Sequence, residues 1–433
     1  MKTKALPGFR DFYPADLALR AHIVRTWRTV ATRYGFEEYD GPPLEPLDLY
    51  TAKSGEEIVG QLYNFTDKGD RAVALRPEMT PTLARMVAAQ AGQLRKPIRW
   101  FSIPQLFRYE RQQRGRLREH FQLNCDLIGE PGPLADAEII ALALDVMRAF
   151  GLGPQDVRVR LSDRRVLTAI LEGRKVPSSG MGKAFEYIDK VERVRKAQVD
   201  KHDFRPEVFA PATTEVLWEV SQIRGWDQLE RELARSPELS KAGEPLQEVR
   251  RSLEAMGLGD FIELDLAIVR GLAYYTGIVF ELFDAGRALR AICGGGRYDN
   301  LLDALGGVQM PAVGFGMGDV VLGELLKDRG LLPAETSSID VFLAFITPED
   351  LPHVLGLAHQ LRDAGLRVEY AVSSQAVGKQ LKLADSRNAR LAVVVGPDER
   401  KRDEIMIKDL RSGSQESVSL QSIVNTIKAR ING

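Results

Sequence analysis

The chain of 433 residues is poor in cysteine and histidine and has no long apolar run, and each shortage narrows what it can be. Its 2 cysteines, Cys125 and Cys293, form no Cys-x-x-Cys pair and no Cys/His cluster, which argues against a disulfide framework and a structural zinc site. No metal site built from protein side chains is expected. No stretch nears the roughly 20 apolar residues a membrane-crossing helix requires, and the opening MKTKALPGFRDFYPAD has no apolar signal-peptide core. A cytoplasmic protein with no membrane association is expected. An excess charge of one sign is missing too. With 59 Lys and Arg against 60 Asp and Glu, the net charge of −1 argues against a generally basic nucleic-acid coat protein but leaves room for a locally basic face. The length accommodates about two to four domains.

What is present is concentrated. Residues 108–118 hold five arginines and one glutamate, within the stretch FRYERQQRGRLREHFQLNCD. An apolar run (Ile103, Leu106, Phe107) enters a glycine-containing loop, and an alternating run (Phe121, Leu123, Cys125) leaves it, so the spacing predicts a β-hairpin. An isolated charge run is usually a solvated face. Here Glu110, Gln122 and Asp126 fall where alternation brings polar groups to the arginine side, and a planar guanidinium matches phosphate oxygens in bidentate fashion. The hairpin is expected to grip a polyanion.

Periodicity organises the rest. Helical spacing runs over 15–35 and stops at Gly35, recurs after Arg76-Pro77-Glu78, and again from Ala135 to Phe150. Dense charge and helix formers over 171–258 predict a helical insertion. Strand patterns resume at Ile262–Arg270 and Ile278–Phe283, then a glycine-rich turn at Gly294–Gly296, a helix start at Tyr298–Leu305, and a glycine run (314–318) into a helix over 319–328. LLPAETSS at 331–338 reads as a linker, and the alternation beyond it (strands 341–345, 368–370 and 391–395, helices 349–364 and 374–387) predicts a small α/β domain.

Two further segments carry candidate chemistry. In IVRGLAYYTGIVFE, Arg270 stands at a strand end beside Tyr274 and Tyr275; a lone Tyr-Tyr is most often core packing. Alone, CGGGRYDN reads as a tight turn, and Arg76-Pro77-Glu78-Met79-Thr80 as ordinary helix capping. Together they suggest a polar pocket.

In this order, LRPEMT, FRYERQQRGR, VRGLAYYTG, GGGRYDNLL and the closing glycine-rich strand and helix resemble the histidyl-tRNA synthetases, a family of class II aminoacyl-tRNA synthetases. KQLKLADSRNARLAVVVG resembles that family's anticodon-binding domain. The resemblance implies an α+β fold: an antiparallel catalytic sheet with flanking helices (1–170 and 259–330), the helical insertion (171–258) and a C-terminal α/β anticodon-binding domain (339–433). It implies ATP-dependent ligation of L-histidine to tRNA(His) through a histidyl-adenylate, with Mg²⁺ accompanying ATP, and a homodimer built near Pro42 or Pro43.

By the same resemblance Arg108 holds the α-phosphate, Glu110 contacts the adenine side, Arg116 meets the γ-phosphate, and Arg270 lies across from Arg108 against α-phosphate and substrate carboxylate. Glu78, Met79, Thr80 and Gln122 belong to the histidine site around the α-amino group, Asp126 and Tyr275 read the imidazole, and Tyr274 lines the pocket. Such roles suit the chemistry: two anions must meet, so fixed positive charge is needed at the reacting centre. A neutral imidazole offers one donor and one acceptor.

Several positions depart from the family. Val321 stands where an arginine stacks on adenine, the usual Phe-His reads His120-Phe121 so that either ring is a candidate for the base, Ala273 replaces an aspartate, and Asp126 a glutamate. Competing readings are a non-catalytic histidine-sensing paralogue, such as the regulatory subunit of ATP phosphoribosyltransferase, and a generic nucleic-acid-binding module. The first generally lacks the C-terminal domain, and the second leaves Glu78, Asp126 and Tyr275 unexplained. The loop 111–118 is suited to a tRNA 5′ phosphate, while the insertion is either an acceptor-arm clamp or purely structural.

Overall fold

A computed structural model describes residues 4–51, 59–110, 117–196, 209–270, 274–286, 289–332 and 339–432. The chain forms two compact units that divide between Leu332 and Pro333.

The strands of the first unit, in chain order, are β1 (Glu37–Glu38), β2 (Leu44–Pro46), β3 (Tyr63–Thr66), β4 (Ala72–Leu75), β5 (Ile98–Ser102), β6 (Gln105–Phe107), β7 (Glu119–Ile128), β8 (Val157–Asp163), β9 (Ile262–Leu264), β10 (Ile278–Asp284), β11 (Cys293–Arg297) and β12 (Ala312–Gly318). Among the described residues nine of these make one sheet in the order β1-β5-β7-β12-β11-β10-β8-β9, with β6 also paired to β7; β2, β4 and β3 make a small separate sheet. The central pairings are antiparallel.

Alternation gives the large sheet two different faces. Leu123, Cys125 and Leu127 of β7, with Val313 and Met317 of β12, join the main apolar core. Helix Pro133–Ala149, buried along most of its length, contributes to that core, as does the first helix, Pro14–Arg33, through Ile23, Trp27 and Val30. The first helix ends as its sequence predicts, with Gly35 in the left-handed region at φ 73°. The other face carries Gln122, Asn124 and Asp126, beside a smaller core in which helix Thr80–Gln90 packs Leu83, Ala84 and Val87 against Ile128, Val279 and Ala312.

Residues 181–255 hold helices Met181–Lys196, Pro211–Ser221, Trp226–Leu233 and Pro237–Ala255, and their buried apolar residues belong to the main core. The second unit has a five-stranded sheet, β14-β13-β15-β16-β17, of β13 (Val341–Phe345), β14 (Val368–Tyr370), β15 (Leu391–Val395), β16 (Glu404–Asp409) and β17 (Gln415–Ser419). Helices Leu351–Asp363 and Val377–Ser386 fall in the predicted alternation.

Two sequence expectations are corrected. The strand expected over Ile262–Arg270 ends at Leu264, because the Asp265 carboxylate accepts from the Ala267 N–H at 3.0 Å and turns the chain. Gly294–Gly296 is not a turn: it forms the middle of β11, paired on both sides with β10 and β12. Among the described residues no helix is long and apolar enough to cross a membrane.

Candidate active site

The predicted hairpin is β6 and β7, with Phe107 opposite Glu119. Arg108 leaves β6 and is held by its Nε, which donates to the Pro77 carbonyl at 2.9 Å. The expected Arg116 and the tip residues 111–116 lie outside the described residues, as do Gly271, Leu272 and Ala273.

Two adjoining cavities open on the polar face of the sheet. The inner one, with about 480 Å³ of free space, is lined by Glu78, Thr80, Gln122, Asp126, Tyr274 and Tyr275, together with Arg108 and Arg270. The outer one, with about 1220 Å³, is lined by Glu110, His120, Glu281, Phe283, Arg290 and Val321, again with Arg108 and Arg270. Both arginines, with Gln122, therefore stand on the boundary.

Glycines make this face deep enough for side chains to meet. Gly294 and Gly314 lie on neighbouring strands with Gly294 opposite Gly316 and Gly314 opposite Asp126. A side-chain carbon at Gly294 would fall on the Arg270 guanidinium, and one at Gly314 on the Asp126 carboxylate. Only glycine permits such an approach.

Arg270 is the strained member. Its φ is 58°, a left-handed conformation that a non-glycine residue rarely holds. Its Nη1 donates to Glu281 Oε1 at 3.0 Å, while its buried Nε has no hydrogen-bond partner among the described residues. A buried donor left open on a cavity wall suits an anionic ligand.

The inner cavity is a network of paired buried groups. The Tyr274 hydroxyl donates to Glu78 Oε2 at 3.2 Å, and the Tyr298 hydroxyl donates to Asp126 Oδ1. The Tyr274 ring lies 5.1 Å from that of Tyr275 and 5.9 Å from that of Tyr298. Burial pushes Asp126 up to about 7, and the hydrogen bond from Tyr298 only partly opposes this. The reading of Glu78 and Thr80 as cap residues is not met: Met79 occupies the N-cap of helix Thr80–Gln90, and no side-chain cap bond forms.

Two expected residues stand away from the cavities. Met79 is fully buried, with its sulfur 3.9 Å from Arg76 Nη1. Phe121 falls on the opposite side of β7 from His120 and Gln122, as alternation requires; the Arg20 guanidinium covers its ring at 4.4 Å and Phe12 meets it edge-on. His120 is the ring that faces the outer cavity, and burial, with the charges of Arg108 and Arg10, pushes its pKa down to about 3. It is a neutral aromatic plate at ordinary pH.

Sequence reasoning missed Tyr298, Asn124, Glu281 and Arg290, all of which line these cavities. Tyr298 had a signal, since it follows Gly296 by two residues, the spacing that keeps a strand residue on one face.

The antiparallel sheet carrying facing arginines, with a separate C-terminal α/β unit, defines a class II aminoacyl-tRNA synthetase. The histidyl-tRNA synthetase family profile matches residues 8–318, and an anticodon binding domain profile matches residues 340–430. The chain is 46% identical to the histidine–tRNA ligase of Opitutus terrae, covering 97% of each. It is 39% identical to that of Leptospira biflexa, covering 100% of this chain and 99% of the other. The crystal structure of histidyl-tRNA synthetase from Nostoc sp. PCC 7120 superposes with a TM-score of 0.82 at 28% identity, over 99% of this chain and all of that one. The chain belongs to the histidyl-tRNA synthetase family. It is an enzyme, an ATP-dependent histidine–tRNA ligase that works through an adenylate, and not a non-catalytic paralogue.

Proposed function

We propose that the inner cavity binds L-histidine and the outer one ATP, and that Arg108 and Arg270 act where the two meet. The observation that carries this reading is that both guanidiniums line both cavities. In adenylate formation the histidine carboxylate attacks the α-phosphorus, the bond to the bridging oxygen breaks, and pyrophosphate leaves. Negative charge builds on the phosphoryl oxygens at that boundary, so fixed guanidiniums there favour the transition state over the ground state.

Glu78, Thr80 and Gln122 hold the α-ammonium group, and Asp126 accepts from one imidazole nitrogen while Tyr275 serves the other. Tyr298 fixes one carboxylate oxygen of Asp126 and leaves the second to the ligand. An apolar amino acid would strand these groups unpaired, which supports selection without an editing domain. His120 stacks on the adenine from one side, in the cavity that Glu110, Phe283, Ile292 and Val321 also line, and Arg116 meets the γ-phosphate.

Mg²⁺ fits this site as a companion of the triphosphate. Among the described residues no group of three or more His, Cys, Asp or Glu could hold a metal ion. Glu110 and Glu281 are the carboxylates of the outer cavity, and Mg²⁺ is commonly held by one or two carboxylates plus phosphates. The ion would shield phosphate charge.

We further propose a cytoplasmic homodimer that charges tRNA(His). The segment after Pro42-Pro43 supports the dimer, since Leu44 and Phe65 of the small sheet are 37% and 51% exposed. A monomeric mass in sedimentation equilibrium would remove that part. The central test is Arg270→Ala. Histidine-dependent exchange of pyrophosphate into ATP is expected to fall by about 10³-fold in a variant that still unfolds cooperatively. Exchange at the wild-type rate would remove Arg270 from the mechanism.

A further inference from the structure

We propose that Arg164 is a positioning residue for adenylation, a clasp on the backbone carbonyls of Val269, Arg270 and Tyr275 that lets Arg270 and Tyr275 reach the substrates together. The inference rests on the assignment of Arg270 and Tyr275 to the two substrates.

Arg164 is the first residue of helix Arg164–Gly173, whose N-cap, Asp163, is fully buried and accepts from the Arg165 N–H at 2.8 Å. The cap fixes where the Arg164 side chain starts. From there one guanidinium reaches three backbone carbonyls. Nη1 donates to Tyr275 O at 2.9 Å, Nη2 to Arg270 O at 2.8 Å and to Val269 O at 3.2 Å, and Nε to Val269 O at 3.3 Å. The Arg164 backbone N–H closes the far end, donating to Gly277 O at 3.0 Å. A single residue thus holds the carbonyls of Val269, Arg270, Tyr275 and Gly277, two of them on the arginine and the tyrosine themselves.

The strained backbone gives the clasp its purpose. Arg270 at φ 58° needs its surroundings to hold it there, and the carbonyl of that same residue is the one Nη2 binds most closely. The planar fork of an arginine can serve several acceptors with one fixed geometry, whereas a lysine ammonium is a compact point donor. Helix Met181–Lys196 backs the clasp: the Phe185 ring lies 5.4 Å from the Arg164 guanidinium carbon. Between Tyr275 and Gly277, Thr276 is anchored separately, its N–H donating to Arg297 O at 2.8 Å. Removal of the Arg164 side chain therefore releases the carbonyls of Val269, Arg270 and Tyr275 while Thr276 and Gly277 stay held.

The test compares Arg164→Ala, Arg164→Lys and Arg270→Ala in the full chain, by pyrophosphate exchange normalised to active sites titrated from the burst of adenylate. For Arg164→Ala the expected result is a kcat per active site lower by about 10²-fold and a KM for histidine higher by about 10-fold, with KM for ATP within about twofold of wild type. Arg164→Lys is expected to recover less than a tenth of the lost kcat, because its charge persists without the fork. A purely structural role would reduce the number of titratable sites and leave kcat per site unchanged, and that result overturns the proposal. So does wild-type KM for histidine in either folded variant. If Arg164→Ala does not fold, Arg164→Lys carries the same criteria. Loss in Arg270→Ala with none in the Arg164 variants sinks the clasp alone; exchange undiminished in Arg270→Ala sinks the site assignment beneath it.

Discussion

The inner and outer cavities share two arginines but differ in what else lines them. In the inner one Glu78, Asp126, Tyr275 and Tyr298 are all buried, and the hydroxyls of Tyr274 and Tyr298 hold the two carboxylates. The outer one opens toward solvent, with exposed Arg290 at its edge and Val321 in its wall. Buried polar groups leave little freedom, because any one left unpaired is costly.

The largest break in that contrast is expected at Asp126. Asp126→Asn keeps the shape and one acceptor oxygen but removes the charge, and leaves the Tyr298 hydroxyl facing an amide. We expect kcat/KM for histidine to fall by about 10²-fold with KM for ATP nearly unchanged, measured by pyrophosphate exchange. A loss spread equally over both substrates would show that the cavities are not separate binding regions.

Sequence alternation carried much of this site. Residues 120, 122, 124 and 126 of β7 face the cavities because their spacing is two, and the arginine cluster marks that strand in the sequence. Legibility failed for specific reasons. Gly294–Gly296 reads as a turn because glycine lacks the side chain that would announce a strand, yet its emptiness is what admits Arg270. His120 and Phe121 are adjacent rings on opposite faces of β7, and His120 is the one that shares the face of Gln122 and Asp126. Arg164 is hidden in a different way. Asp-Arg-Arg at a helix start looks like a solvated terminus, and its three carbonyl partners lie more than 100 residues downstream.

A smaller effect is expected from Tyr298→Phe, and it has a pH signature. Asp126 is raised from 3.8 to about 7, so between those values the folded protein binds a proton that the unfolded chain does not. Its contribution to stability is full below about pH 4, declines as pH rises toward 7, and is flat above. Removing the Tyr298 hydroxyl takes away a donor to the carboxylate and raises Asp126 further, so the decline should extend above pH 7. Asp126→Asn should abolish this component altogether. Urea midpoints of the ligand-free proteins from pH 4 to 9 provide the check, and identical profiles for wild type and Asp126→Asn would show that Asp126 does not titrate in this range. In exchange assays Tyr298→Phe should raise KM for histidine by about 10-fold.

The smallest effect belongs to the outer cavity. Arg290 and Val321 line the same cleft as His120, and a guanidinium on an adenine face contributes modestly where water has access. If Arg290 supplies the cation that Val321 does not, Arg290→Ala should raise KM for ATP by about fivefold and leave KM for histidine unchanged, the reverse of the Asp126 pattern. Val321→Arg in that background should restore ATP affinity, because either arginine would reach the base across the same cleft. Restoration would show that the open wall tolerates a change of donor that the closed pocket does not. Failure of Arg290→Ala to change KM for ATP would leave His120 and the apolar wall as the whole of the adenine contact, and the contrast between the two cavities would then rest on burial alone.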